Sequence, residues 1–140
     1  MKEDVLRFLK EKKPKLCVLA TSSIEAKPEC AVVGYAVKDD LTIIVSTHKN
    51  SRKWNNVKEN NKVALCIGWS FTEPYIQCDG VANLIEEGSN YQQSEQFFFY
   101  ENPDAAKFKT PDTIFIEVKP SWIRFTDFSS HPPKSEELTF

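Results

Sequence analysis

Apolar and polar positions alternate over most of this chain with a period of two, and only a few stretches break the rhythm. Val5, Leu6 and Leu9, with Glu3 and Asp4 ahead of them, have the spacing of a short amphipathic helix that stops before Pro14. LCVLATS (16–22) and ECAVVGYAV (29–37) are β-branched or apolar runs separated by the polar SIEAKP, and Lys38-Asp39-Asp40 turns the chain into LTIIVST (41–47). The polar SRKWNNVKENN follows with Trp54 and Val57 on one helical face; KVALCIGWS (62–70) and YIQCDGVANLI (75–85) are again strands. Gly80 inside the latter predicts a bulge or sharp bend. EGSNYQQSEQFFFYENPDAAKF reads as helix in two pieces broken at Asn102-Pro103, and TIFIEVKPSWIRFTDF (113–128) returns to a strand. The remaining 129–140, ending in HPPKSEELTF, is expected to be loose or packed on a partner. Some six strands with short turns and helices in two of the connections predict a mainly β fold, a small closed or partly closed barrel. Residues 1–140 form a single domain, since no repeat or linker-like shift divides them.

Composition narrows the function classes. A chain of 140 residues, 41% hydrophobic and 27% charged, can enclose one core. A formal charge of -2 offers no general attraction to nucleic acid or an anionic membrane. No apolar run reaches membrane-spanning length and the charged start is unlike a secretory signal, so the expected address is cytoplasmic. Cys17, Cys30, Cys66 and Cys78 are scattered with no C-x-x-C pair, which predicts reduced, mostly buried thiols and no metal site. His48 and His131, the only histidines, lie in no nucleophile motif, and the acidic pairs Asp39-Asp40 and Glu86-Glu87 fall in turns.

One stretch carries chemistry. STHKNSRKW (46–54) places Ser46 and Thr47 at a strand end, then Ser51, Arg52 and Lys53 at the start of a helix. A phosphate needs convergent donors and positive charge, and the N-terminus of a helix after a strand aims free backbone N–H groups at one spot. A basic pair there opposes the helix dipole unless an anion is present. A solvated basic face is the alternative reading of the same spacing. Four glycines without a G-x-G-x-x-G or a Walker A pattern leave neither a Rossmann turn nor a P-loop.

LTIIVSTHKNSRKWNN, NNKVALCIGW and YIQCDGVANL, in this order, resemble the FMN-binding split β-barrel family typified by pyridoxamine 5'-phosphate oxidase, and KPSWIRFTDF is similar to the final strand of its small general-stress-protein members. The likeness runs from about residue 4 to 128. It implies FMN as cofactor, with Arg52 and Lys53 on its phosphate, Ser46, Thr47 and Ser51 beside it, and the strand of Ala31, Val32, Val33 and Gly34 against the isoalloxazine ring. It further implies a homodimer with the cofactor at the interface, so that Trp69, Tyr75, Gln77 and Trp122 reach a flavin held mainly by the other subunit. Two departures matter. The second-strand lysine of the vitamin B6 oxidases is Ala36 here, and their terminal Arg-x-His is replaced by WIRFTD. The implied activity is therefore an FMN oxidoreductase on another small molecule, with NADH or NADPH as candidate electron donor. The alternatives are a flavin-binding stress-associated module without turnover, or a relative holding deazaflavin or heme.

Overall fold

The computed structural model describes all 140 residues. Helix α1 (Lys2–Glu11) precedes β1 (Leu16–Ser22), β2 (Pro28–Val37) and β3 (Ile43–His48); α2 (Arg52–Glu59) leads to β4 (Lys62–Ile67) and β5 (Tyr75–Ile85). Helix α3 (Ser89–Glu101) and a 3₁₀ helix (Pro103–Phe108) then lead to β6 (Thr113–Asp127) and β7 (Lys134–Thr139). The strands form one antiparallel sheet in the order β3-β2-β1-β4-β5-β6-β7, and β6 also pairs with β3. That extra pairing closes six strands into a barrel with β7 outside it. No helix is long and apolar enough to cross a membrane.

Alternation decides which side chains fill the barrel. On β2, Val33, Tyr35 and Val37 are buried and belong to the same cluster as Leu19, Ile43, Val45, Leu65 and Ile123. Helix α1 closes one end with Val5 and Leu9, and the Tyr35 hydroxyl donates to the Leu9 carbonyl at 2.7 Å. Helix α2 closes the other end, where the buried Asn56 amide donates to the Thr21 hydroxyl at 3.0 Å. Outside, Phe98 of α3 packs with Ala36, Ile44 and Phe115 in a second cluster, flanked by Phe97 and Phe99. The FFFY run therefore serves mainly this chain's own sheet, and only Tyr100 stands free, 84% exposed.

Three expectations are corrected. The third strand begins at Ile43 and not at 41, because Leu41 has φ of 72° and closes a turn in which its N–H donates to the Lys38 carbonyl. The fourth strand stops at Ile67: Gly68 has φ of 96°, and a Cβ there would lie 2.6 Å from the Pro74 carbonyl oxygen. The tail is not loose, since Lys134–Thr139 pairs with Trp122–Asp127 as an edge strand. Its polar KSEELT lacks alternation because nearly every residue is exposed, as edge strands tolerate. The break at Asn102 and the irregularity at Gly80 are both present.

Gly80 shows how tightly β5 and β6 meet. It faces Pro120 where the register shifts, and a Cβ would come within 2.7 Å of Val118 Cγ1 and 2.9 Å of the Lys119 carbonyl oxygen. Gly80→Ala is expected to destabilise the protein by about 1–3 kcal/mol through overpacking, read as a lower urea midpoint at unchanged slope. A midpoint equal to wild type would show that β6 yields freely.

Candidate functional site: a cleft where two strands part

The β2–β3 ladder covers only Tyr35↔Val45, Ala36↔Ile44 and Val37↔Ile43. Beyond Val45, β3 runs on with β6 alone, through Thr47↔Ile114 and His48↔Thr113. Main-chain groups are thereby left open on both lips. Tyr35 N–H donates to the Lys15 carbonyl on the β1 side at 3.0 Å, so strand alternation turns the N–H and C=O of Val32 and Gly34 the other way, toward the gap. Had the ladder continued, Gly34 would have met Ser46. Buried or ligand-covered main-chain groups require partners, so this gap is a ready-made row of donors and acceptors.

A cleft of about 890 Å³ opens there, lined by Val32, Val33 and Gly34 on one lip and Ser46, Thr47 and His48 on the other. Its wall is the end of α3 and the 3₁₀ helix, including Phe98, Phe99, Asn102 and Phe108. The Asn102 amide fixes that wall by donating to the Tyr35 carbonyl at 2.9 Å and the Phe98 carbonyl at 3.2 Å. Gly34 keeps the floor low, since a Cβ would lie 3.3 Å from Phe98 Cζ. Five lysines line the cleft, Lys13, Lys15, Lys53, Lys107 and Lys109, against the acids Glu101 and Asp104. Only Lys109 has a carboxylate partner, Glu95 at 2.5 Å. The cleft is thus cationic in a chain of net charge -2.

Helix α2 enters this end of the cleft. Ser51 is its N-cap, with Oγ accepting from Trp54 N–H at 3.2 Å and lying 3.3 Å from the buried Thr47 hydroxyl. Lys53 lines the cleft; Arg52 does not. Arg52 Nη1 instead donates to Glu29 Oε2 at 2.9 Å, and this guanidinium holds the Glu29 carboxyl below the usual glutamate range. Of the residues expected at the site, the structure brings Val32, Val33, Gly34, Ser46, Thr47 and Lys53 together around one cavity. Ser51 braces the helix start, and the Ala31 side chain has the barrel-facing parity of Val33.

Trp69, Tyr75, Gln77 and Trp122 lie outside the cleft. Tyr75 and Gln77 are on the outward parity of β5, where the Gln77 amide lies 3.3 Å from the Tyr75 hydroxyl, and Trp122 donates to Glu137 at 2.8 Å. His48 belongs to the motif itself, whereas Lys13, Lys15, Asn102 and the 3₁₀ wall come to it from distant parts of the chain. They reach it through chain topology, for which local spacing holds no signal.

The sheet's outer face divides in two. Helix α3 covers the part formed by Ala36, Ile44 and Phe115. The rest carries the rows Val32–Val18–Cys66–Gln77–Arg124 and Cys30–Ala20–Ala64–Asp79–Trp122, read across the register of β2, β1, β4, β5 and β6. Its centre is small and apolar, and Val32 is 63% exposed.

Comparison with known proteins agrees with this architecture. Among solved structures, general stress protein 26 of Bacillus anthracis aligns with a TM-score of 0.73 at 21% identity, covering 98% of each chain. A pyridoxamine 5'-phosphate oxidase-related, FMN binding protein of Nostoc punctiforme aligns at 0.73 and 12% identity, covering 99% of this chain and 95% of that one. A heme binding protein of Mycobacterium smegmatis aligns at 0.79 and 14% identity over 99% of this chain and 58% of its own. At such identities these likenesses establish the fold alone. The pyridoxine/pyridoxamine 5'-phosphate oxidase of Ehrlichia chaffeensis is 37% identical over 75 residues, 54% of this chain and 38% of that protein, so the chain spans well under half the length of this curated relative. The pyridoxamine 5'-phosphate oxidase family model matches residues 1–127, and the chain belongs to that family, with its split β-barrel fold.

Proposed function

We propose that the protein binds FMN in the cleft between β2 and β3 and acts, as a homodimer, as an oxidoreductase on a small molecule other than pyridoxamine phosphate. The observation that carries this reading is the open ladder beside a cationic helix start. Main-chain N–H and C=O of Val32 and Gly34 offer hydrogen bonds to the edge of a flat heteroaromatic ring. Lys53, the Ser46 and Thr47 hydroxyls and the free N–H groups of α2 offer charge and donors to a phosphate. Phe98 and Phe99 supply an apolar wall that excludes water from one side. Bound FMN supplies hydride or single-electron chemistry itself, which suits a site without a nucleophile–base pair. Ala36, buried under α3, offers no charge where the B6 oxidases carry their second-strand lysine.

The bare, small-residue part of the sheet supports the homodimer. An isologous pairing centred on β1 and β4 carries Gln77 and Trp122 of one copy toward Val32 of the other, at the cleft's margin. Heme is a second reading, favoured by His48 on the cleft's lip and by the heme binding protein of the same fold. The visible spectrum of the purified protein separates flavin from heme. Anaerobic reduction of the flavin-loaded protein by NADH or NADPH then separates an enzyme from a binding module.

Lys53→Ala is expected to weaken FMN by roughly ten- to a hundredfold, the loss of a charge-assisted contact of about 1.5–3 kcal/mol, while riboflavin binding stays nearly unchanged. Equal weakening of both ligands in a fluorescence titration would sink the phosphate assignment. For the dimer, light scattering at micromolar concentration with FMN supplied should give twice the chain mass, and Val18→Glu should give a monomer with reduced flavin affinity. A monomeric wild type refutes the pairing.

A further inference from the structure

We propose that Glu29 is an internal stand-in for the flavin phosphate: it occupies Arg52 in the ligand-free protein, must release it when a phosphate arrives, and so sets how strongly the site prefers FMN to riboflavin. The inference rests on the FMN reading above.

The first turn of α2 contains no acidic residue, yet it opens on Arg52 and Lys53, an arrangement the helix dipole disfavours unless an anion is near. An anion is present, and it comes from another element. Glu29, the second residue of β2, reaches Arg52 Nη1 with Oε2 at 2.9 Å. The carboxylate side chain is 24% exposed and the guanidinium 78%, so the acid is the anchored partner and the arginine the one free to swing. Only one of the five guanidinium donors is engaged with an acid. Held this way Arg52 stays out of the cleft, while its neighbour Lys53 lines it. Arg52 therefore reaches a phosphate between Lys53 and Thr47 only by leaving Glu29.

The exchange is favourable in direction. An exposed ion pair is weak and solvent-screened, whereas a phosphate dianion at a helix start can take a bidentate guanidinium together with backbone donors. Glu29 is not abandoned when Arg52 swings, because the Asn56 amide and Lys27 also favour its ionised form. The binding free energy that Arg52 adds is consequently the difference between two salt bridges and not the whole of one. Riboflavin does not call on Arg52 and bears none of this cost.

The test is a set of fluorescence titrations of FMN and riboflavin against wild type, Glu29→Gln, Arg52→Ala and the double variant, with thermal melts confirming folding. Glu29→Gln is expected to tighten FMN by roughly two- to fivefold, the range that corresponds to an exposed ion pair, and to leave riboflavin unchanged. In the Arg52→Ala background the same change should have no effect. Weaker FMN binding by Glu29→Gln would mean that Glu29 positions Arg52 in the clasp, which overturns the proposal. Tightening of equal size without Arg52 would also overturn it, since only general charge removal would then be at work. Should Glu29→Gln melt early, Glu29→Asp keeps the charge but shortens the reach, and the same FMN gain is expected. Calorimetry with inorganic pyrophosphate separates the two readings. If pyrophosphate binds and tightens in Glu29→Gln while no flavin binds, the FMN reading falls and the role of Glu29 stands; if neither ligand binds wild type, both fall.

Discussion

Everything around the cleft follows from one interrupted ladder. A β-strand must pair its main chain on both sides or leave it to solvent or ligand, and β2 loses its β3 partner after three residue pairs. From Ser46 on, β3 stays paired through its other edge with β6, the pairing from Ile43 to His48 that closes the barrel, while its β2-side edge is left open. Barrel closure and the open seam therefore lie on opposite edges of one strand. The cavity next to the seam exists because Gly34 has no side chain to raise the floor, and because Asn102 ties the chain after α3 to the Tyr35 carbonyl, just beyond the last open residue.

The electrostatics follow from the same geometry. Since β3 ends beside the seam, the helix after it begins there, with Ser51 as its N-cap and Lys53 of its first turn lining the cleft. Two cations at that start need an anion within reach. In the folded chain Glu29 satisfies Arg52 alone, which leaves Lys53 inside the cleft without a carboxylate partner. The division of the Arg-Lys pair into one satisfied and one free cation depends on β2 and α2 lying side by side, and no local feature of STHKNSRKW expresses it.

That contrast runs through what could be read from the sequence. Leu16–Ser22 and Tyr75–Ile85 match their alternating runs to the residue, because one face of each fills the barrel and the other does not. Leu41 and Gly68 shifted strand ends because their positive φ belongs to turns that hydrophobicity does not report. Strand β7 was missed because five of its six residues are exposed and only Leu138 packs against the core, which removes the alternation that marks a strand. In the cleft, Ser46, Thr47, Lys53 and Val32 to Gly34 were legible from the strand–helix motif and its family likeness. Lys13, Lys15 and the wall from Phe98 to Phe108 were not, since each arrives from a separate part of the chain whose own sequence has no reason to advertise it.

The floor and the wall of the cleft are built from different materials, and this bears on how the fold diversifies. The floor presents main chain from Val32 and Gly34, and main-chain geometry survives almost any side-chain change that keeps the strands. A TM-score of 0.73 at 12% identity to another split barrel is what such a constraint permits. The wall presents side chains, Phe98, Phe99, Asn102 and Phe108, from a helix and a 3₁₀ turn that take no part in closing the barrel. Substitution there alters the shape and charge beside the floor without disturbing the strands that make it. Selectivity for whatever lies against the floor is therefore free to change through the segment from α3 to β6, while the seam between β2 and β3 is held by the barrel itself.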